Sequence, residues 1–308
     1  MSDSLTGAFK GKCIIDDDMG YHGLGVAQGG MVDTPDGDWY AFMFQDRGAL
    51  GRAPVLMPMH FEDGFPIIGG NGKVPEVVTV LDTGYQYAAI NGSDDFFYKP
   101  DENGQITLKN FWEFNHQQMD DFWSVTENPG HLRLHSAKLS PTLFQAYNTL
   151  TQRTVGPKCA AEVTLRFAHM KNGDVAGIST FIGNYGFIGV KKEKDQYYLI
   201  MMGRPANDTT VFGQFEYENP GLEYARVPIY GESICLRAEA DFTDKRDLSS
   251  FYYKEGDNWQ KLGIDQPMYF KMDLFTGCRF GLFYYSTEQT GGYVDFSKFQ
   301  FIWPEYVY

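Results

Sequence analysis

The stretch VAQGGMVDTPDGDWYAFMFQDRGALGRAP, residues 26–54, combines glycines, a turn and an aromatic run in a short space. A turn rich in proline, aspartate and glycine, residues 34–38, separates a Gly-Gly-Met-Val run from an aromatic run at residues 38–44. Aromatic residues favour strands, and this turn composition favours a tight reversal. A Gly-flanked arginine, Arg52, follows the second run. The stretch therefore predicts an aromatic strand that follows a short turn.

Strand signals of the same kind recur along the chain, with turn residues between them. Residues 249–263 are typical of a hairpin, because two aromatic runs flank a turn at residues 255–258. No segment shows a sustained helical period with caps. Further strand signals lie at residues 162–170, 196–203, 233–242 and 279–286. These features predict an all-β fold, with the regularly spaced strands of a sandwich or a propeller.

Composition and charge exclude several functional classes. The chain has 308 residues, 16% of them aromatic, and a formal net charge of −14. This charge argues against a nucleic-acid partner, whose phosphates need a basic surface. No stretch approaches the roughly eighteen apolar residues of a membrane span, so no membrane partner is expected. The first residues, MSDSLTGAFKGK, lack the apolar core of a signal peptide, which fits a cytoplasmic protein or the mature form of a periplasmic or secreted one.

Cysteines, histidines and acidic residues show no pattern of a metal site. The four cysteines lie far apart and are expected to be buried thiols. The histidines lack ligand spacing. Asp33, Asp36, Asp38 and Asp46 could serve as catalytic carboxylates by residue type. However, Asp36 and Asp38 occupy a turn, where aspartate forms local hydrogen bonds, and Asp46 is expected to pair with the neighbouring Arg47.

The composition changes between Gly69 and Leu108. A glycine-rich stretch, GGNGKVPE, ends the first part, and a polar stretch with turn residues, NGSDDFFYKPDENGQ, follows it. We expect a first part at residues 1–85, a linker at residues 86–108 and a second part at residues 109–308. The first part is small for an independent domain.

Several long motifs resemble glycoside hydrolase family 43. QGGMVDTPDGDWYAFMFQDRGALGRAPVLMPMHFEDGFPIIG, residues 28–69, is similar to a late-blade segment of the five-bladed propeller of that family. FWEFNHQQMDDFWSVTENPGHLRL, residues 111–134, and FTGCRFGLF, residues 275–283, resemble the β-sandwich that follows the propeller in β-xylosidases and α-L-arabinofuranosidases. The resemblance implies a partial five-bladed β-propeller at residues 1–85 and a concanavalin-like or jelly-roll-like sandwich at residues 109–308.

The resemblance implies that no catalytic residue lies in this chain. In the family, the base Asp, the pKa-tuning Asp and the acid Glu lie on earlier blades, and the motifs here match only segments that follow the acid Glu. The catalytic carboxylates are therefore expected in a second polypeptide that carries the N-terminal blades, or in a missing N-terminal part. An incomplete propeller would expose an apolar blade face, so we expect a large apolar interface with Met31 and Phe42 as anchors.

The resemblance also marks three candidate substrate-binding residues. Arg52 matches an arginine that reaches into the −1 sugar subsite, where a planar guanidinium can meet two hydroxyls, and Arg47 is the alternative. Phe275 matches a sandwich aromatic that lies over the active site, and a core phenylalanine is the alternative. Gln28 keeps an amide near the propeller axis. Many members have histidine where this chain has Ala27, which argues against a structural calcium, and no cofactor is expected.

These observations predict a component of an exo-acting, inverting glycosidase that degrades xylan-derived oligosaccharides. The activity would be that of a β-xylosidase, an α-L-arabinofuranosidase or both, in a heterodimer. The residues do not choose between the two sugars, because both pentoses present similar hydroxyl patterns to one scaffold. The alternative is a non-catalytic carbohydrate-binding β-sandwich protein, and a third hypothesis is a lectin-like sandwich with its own calcium site.

Overall fold

A computed structural model describes residues 2, 4–80, 83–204, 218–268 and 276–303. The regular elements in these ranges are strands and short 3₁₀ turns, which confirms the all-β prediction. None of the described residues belongs to a helix long and apolar enough to cross a membrane. The chain separates into two compact units. The first comprises the residues up to Arg47 together with Gly51–Tyr87, and the second comprises Gly48–Leu50 together with the residues from Ala88 onward.

The first unit contains one four-stranded antiparallel sheet, in which neighbouring strands follow one another along the chain. Its strands are β1 (Val26–Asp33), β2 (Trp39–Asp46), β3 (Arg52–Glu62) and β4 (Phe65–Ile68). The backbone N–H of Thr34 donates to the carbonyl of Asp38 at 2.8 Å and closes the turn between β1 and β2. The predicted aromatic strand and the turn before it are therefore confirmed.

Side chains alternate across this sheet and leave its two faces different. One face is covered by a small apolar core: Val26, Ala41, Met57, Met59 and Ile68. On the opposite face, the cross-strand partners Phe42 and Leu56 are 54% and 36% exposed, and Val32 of β1 is 52% exposed. This second face therefore presents apolar side chains to solvent.

The second unit is a sandwich of two antiparallel sheets, as predicted. One sheet has the order β13-β12-β11-β10-β18-β8-β5, and the other has the order β16-β15-β14-β9-β19-β7-β6, with β17 paired to β15. The strands are β5 (Glu113–Phe114), β6 (Trp123–Ser124), β7 (Leu132–His135), β8 (Leu150–Arg153), β9 (Lys158–Arg166), β10 (Asp174–Phe181), β11 (Tyr185–Glu193), β12 (Gln196–Arg204), β13 (Leu222–Ile229), β14 (Ser233–Asp241), β15 (Leu248–Glu255), β16 (Asn258–Lys261), β17 (Gln266–Pro267), β18 (Arg279–Ser286) and β19 (Tyr293–Ile302). Fully buried phenylalanines from both sheets, among them Phe251, Phe280 and Phe296, form the core between them.

Residues 88–108 differ from the predicted linker, because they pack against the sandwich. Phe96 is fully buried and stacks on Trp112, with ring centroids 5.9 Å apart. Asp94 and Phe299 exchange two backbone hydrogen bonds of 2.9 Å, and the Trp112 indole N–H donates to the Asp94 carboxylate at 2.8 Å. The polar composition of this stretch does not predict the packing, because the packing depends on the bridge to Phe299, which is far away in the sequence.

A tripeptide from much earlier in the chain completes the second unit. Gly48–Leu50 forms a 3₁₀ turn in which Ala49 is fully buried. The N–H of Ala49 donates to Asp247 Oδ2 at 3.0 Å, and its carbonyl accepts the N–H of Cys278 at 2.8 Å. Burial raises the pKa of Asp247, while the Ala49 hydrogen bond opposes this change. Gly48 adopts φ +61°, and a Cβ there would lie 2.3 Å from Asp247 Oδ2, so the position requires glycine.

Two further local predictions have different outcomes. The hairpin is confirmed, because β15 and β16 pair with Glu255 opposite Asn258. The expectation of buried thiols holds for Cys159 and Cys278, and Cys235 is half-buried. It is wrong for Cys13, which is exposed because the residues around it form no strand.

Candidate functional site

Arg52 begins β3, and two neighbours of the first unit hold its guanidinium. Its Nε lies 3.0 Å from Asp46 Oδ1, and its Cζ lies 4.1 Å from the centroid of the Phe44 ring. Asp46 and Arg52 are directly opposite each other on β2 and β3, so their side chains share the same face of the sheet. The aromatic ring and the carboxylate together fix the plane of this guanidinium.

The ion pair expected between Asp46 and Arg47 does not form, because each of the two side chains has a different partner. Cross-strand partners such as Asp46 and Arg52 share a face of the sheet, whereas Arg47 follows the last residue of β2. Asp46 therefore pairs with Arg52, and the Arg47 guanidinium lies 4.1 Å from the ring centroid of Tyr21. Both candidate arginines lie over an aromatic ring, and Arg52 also pairs with a carboxylate across the sheet.

Gln28 lies at a β-bulge at the same end of the sheet as Arg52. Ala27 is opposite Phe44 and Gly29 is opposite Met43, so Gln28 is the additional residue, with φ +58°. A bulge of this kind changes the direction of a side chain at the rim of a sheet. The structure thus brings Gln28 and Ala27 to the end of the sheet where Arg52 lies, while Phe275 lies outside the described residues.

The four candidate carboxylates lie at opposite ends of β2. Asp33, Asp36 and Asp38 surround the turn before this strand, and Asp46 ends it. An eight-residue strand at about 3.3 Å per residue spans roughly 25 Å. Inverting glycosidases hold their two carboxyl groups about 6.5–9.5 Å apart. Asp46 therefore cannot form such a pair with any of the other three.

Gln45 is a buried polar residue of this region that the sequence did not single out. It is fully buried, and its Nε2 donates to the carbonyls of Asp18 and Leu24 at 2.6 Å each. These two bonds anchor the loop that leads into β1. A glutamine in a largely aromatic strand indicates a buried polar role. Its two partners could not be predicted, because they lie more than twenty residues away in the sequence.

The second unit carries a separate cavity of about 350 Å³. Three aromatic rings, Phe114, Phe144 and Phe181, supply its apolar wall. Its charged rim is an ion pair between Arg279 and Glu113, in which Nη1 and Oε2 are 2.5 Å apart. The remaining lining residues are Asn115, His116, Thr151, Ile182, Gly183, Thr276 and Gly277. A volume of this size lies at the lower end of small-ligand pockets.

The seven-stranded sheet positions this cavity. Glu113 of β5 is directly opposite Thr151 of β8, and Thr151 is opposite Gly281 of β18, two residues from Arg279. Arg279 Nη1 also approaches Thr151 Oγ1 at 3.3 Å. Sequence reasoning missed these residues, because the wall comes from three distant segments. Thr276 and Gly277, which directly follow the predicted site residue Phe275, also line the cavity.

The fold and the cavity define an all-β protein whose larger unit is a two-sheet sandwich with an aromatic pocket. The chain belongs to the family described as the beta xylosidase C-terminal concanavalin A-like domain, whose profile matches residues 101–302. The resemblance to the C-terminal part of glycoside hydrolase family 43 proteins is thereby confirmed.

Known relatives extend this similarity beyond the matched domain. A beta-xylosidase of Formosa agariphila is 25% identical over 97% of this chain and 51% of its own length. A xylosidase/arabinosidase of Butyrivibrio fibrisolvens is 26% identical over 89% of this chain and 52% of its own length. A solved structure titled bifunctional GH43-CE, from Bacteroides eggerthii, is 37% identical with a TM-score of 0.80, covering 97% of this chain and 36% of that chain. The chain thus spans about half the length of these curated relatives.

Proposed function

We propose that this chain forms the C-terminal part of an exo-acting, inverting glycosidase that removes β-xylosyl or α-L-arabinofuranosyl units from xylan-derived oligosaccharides. Family membership supports the hydrolase class, and the names of the two curated relatives support the two sugars. The observation that carries the proposal is Arg52, whose guanidinium is oriented by Asp46 and Phe44 at the end of the sheet that also carries the Gln28 bulge.

In this proposal, Arg52 binds substrate and other residues perform the acid-base chemistry. A guanidinium presents paired donors that match two adjacent sugar hydroxyls, and Gln28 adds an amide that can donate and accept. Inversion requires a general acid, and a general base that activates a water molecule from the opposite face of the sugar. The wide separation of Asp46 from the other candidate carboxylates supports placing both catalytic carboxylates outside this chain.

The first unit would be the last blade of a five-bladed propeller in this proposal. The exposed apolar face with Val32, Phe42 and Leu56 is the feature that supports it, because such a surface favours burial against another blade. The earlier blades would belong to a second polypeptide or to a missing N-terminal part. Intact-mass and gel analysis of the native particle distinguishes a second polypeptide from a missing N-terminal part, since only a second polypeptide gives a second band of comparable size.

Substitution of Arg52 tests the site in the assembled enzyme. A charge-assisted hydrogen bond to a sugar is worth about 1.5–3 kcal/mol, so Arg52→Ala should lower kcat/KM about ten- to hundredfold. Loss of the partly buried pair with Asp46 should cost only about 0–1 kcal/mol of stability. Arg52→Lys should rescue poorly, because an ammonium lacks the paired donors.

The same assay decides between the two candidate arginines. Turnover of nitrophenyl-xyloside and nitrophenyl-arabinofuranoside is measured for the Arg52 variants and for Arg47→Ala, which removes an arginine with the same 4.1 Å distance to an aromatic ring. A larger loss with Arg47→Ala would move the sugar contact to Arg47. Full activity of both alanine variants would remove the arginines from the site altogether.

Assembly is tested by substitution on the exposed apolar face of the four-stranded sheet, which carries Val32, Phe42 and Leu56. Phe42→Asp places a charge on this face and should abolish both association and activity. Phe61→Asp is the matched control, because Phe61 is 49% exposed but lies on the other side of the same sheet, next to Trp39. Association that survives Phe42→Asp would refute the blade contact.

A non-catalytic carbohydrate-binding protein is the second candidate function, and the cavity of the second unit favours it. An aromatic wall with a charged rim is the usual composition of a pocket for small ligands. Under this alternative, the chain binds sugars but hydrolyses neither nitrophenyl substrate, either alone or with any co-purifying partner.

A further inference from the structure

A second pocket, of about 360 Å³, opens beside the short strand β6 of the sandwich. Its aromatic member is Trp123, and three side chains with planar polar groups, Gln105, Gln118 and Asp120, stand around it. Ile106, Ser124, Val125 and Thr126 complete the lining. Asp120 is the charged residue of this set.

Hydrogen bonds order this pocket without using all of its polar groups. Asp120 Oδ1 accepts the indole N–H of Trp123 at 3.4 Å and also accepts the amide of Gln118. Among the described residues, no hydrogen bond reaches the second oxygen of Asp120 or the side-chain amide of Gln105. The pocket therefore combines a fixed indole with acceptor and donor groups that face no described partner.

The pocket at β6 and the cavity with Arg279 have adjoining aromatic walls. Phe114 lines the cavity with Arg279, Trp123 lines the pocket at β6, and the two rings touch with centroids 5.1 Å apart. β5 and β6, which carry these rings, are each an edge strand, one in each sheet of the sandwich. An extended ligand that follows this edge of the sandwich would pass from one aromatic residue to the next.

We propose that the pocket at Trp123 binds one unit of a neutral saccharide chain whose adjoining unit occupies the cavity on the other side of Phe114. The electron-rich face of an indole attracts the polarised C–H groups of a sugar ring. Amide and carboxylate groups match sugar hydroxyls, which both donate and accept. A net charge of −14 and the carboxylate of Asp120 disfavour an acidic saccharide. The choice of sugar rests on the proposed function.

Titration of the full chain with xylohexaose tests this proposal without relying on hydrolysis. Trp123→Ala should weaken binding about tenfold, as loss of an aromatic contact and of the order it imposes on Asp120 predicts. The double variant Gln105→Ala/Gln118→Ala should weaken binding by a similar factor, and it changes only exposed amides, so it keeps the test informative if Trp123→Ala fails to fold. Trp303→Ala is the control, because this tryptophan is 52% exposed and lies outside both pockets.

Each outcome has a defined meaning. Wild-type affinity in both pocket variants, or no binding of xylohexaose by the wild-type chain, would overturn the proposal. Equal binding of polygalacturonate would overturn the preference for a neutral chain. Hydrolysis of nitrophenyl glycosides by the assembled enzyme should be unchanged by the pocket variants, since none of the substituted residues belongs to the site proposed at Arg52 and Gln28. Failure of that hydrolysis would therefore count against the proposed function and not against this pocket.

Discussion

Replacing Gly48 by alanine should destabilise the second unit through two separate effects. An L residue in the left-handed conformation at φ +61° costs about 1–2 kcal/mol. The new Cβ would also lie 2.3 Å from Asp247 Oδ2 and would displace the carboxylate that accepts the Ala49 N–H. A hydrogen bond to a charged group contributes about 1.5–3 kcal/mol. The free energy of unfolding should therefore fall by roughly 2.5–5 kcal/mol in total.

Gly256→Ala is the matched control for this substitution. Gly256 has φ +58° in the turn between β15 and β16, and a Cβ there would meet nothing within 4 Å. It should cost only the conformational part, about 1–2 kcal/mol. Urea unfolding of the full chain, followed by tryptophan fluorescence, measures both variants. Equal losses in Gly48→Ala and Gly256→Ala would refute the view that Asp247 anchors the tripeptide.

Three other predictions concern stability. Burial raises the pKa of Asp174 above its ordinary value of 3.8, so folding disfavours the ionised form and the free energy of unfolding should fall as pH rises from that ordinary value through the raised one; urea midpoints at increasing pH should show this slope, and Asp174→Asn should lack it. The free energy of unfolding should be about 3–5 kcal/mol larger for a chain of residues 88–308 than for one of residues 109–308, because only the longer chain retains buried Phe96. Equal urea midpoints of the two chains would refute this. Gln45→Leu should speed hydrogen exchange in the loop before β1, and unchanged exchange would contradict its anchoring role.

The parts of the fold that could be predicted are those that local pattern determines. The turn at residues 34–38 and the turn after Glu255 each carry their own residue signals, and both form as expected. The packing of residues 88–108 could not be predicted, because it depends on the pairing of Asp94 with Phe299. Neither a polar composition nor a single phenylalanine indicates which distant strand will be available for such pairing.

The candidate site was predictable only where a motif was continuous. Arg52 and Gln28 were found within one long motif, and the structure places them at the same end of one sheet. The predicted pairing of Asp46 with Arg47 is wrong, because the partner of Asp46 is Arg52, which lies across the strands and not next to it in the sequence. The cavity walls of Phe114, Phe144 and Phe181 come from separate segments that only the folded sandwich brings together.

The position of Gly48–Leu50 in the second unit has a consequence for synthesis on the ribosome. Ala49 precedes its acceptor Asp247 by 198 residues. At about 5–20 residues per second, roughly 10–40 s pass between the emergence of the two. During that interval, the backbone groups of Ala49 must be hydrated by water, because neither Asp247 nor Cys278 has yet been translated. The sandwich can therefore reach its final packing only after Cys278 has been translated, when the earlier Gly48–Leu50 segment is bound by residues made much later.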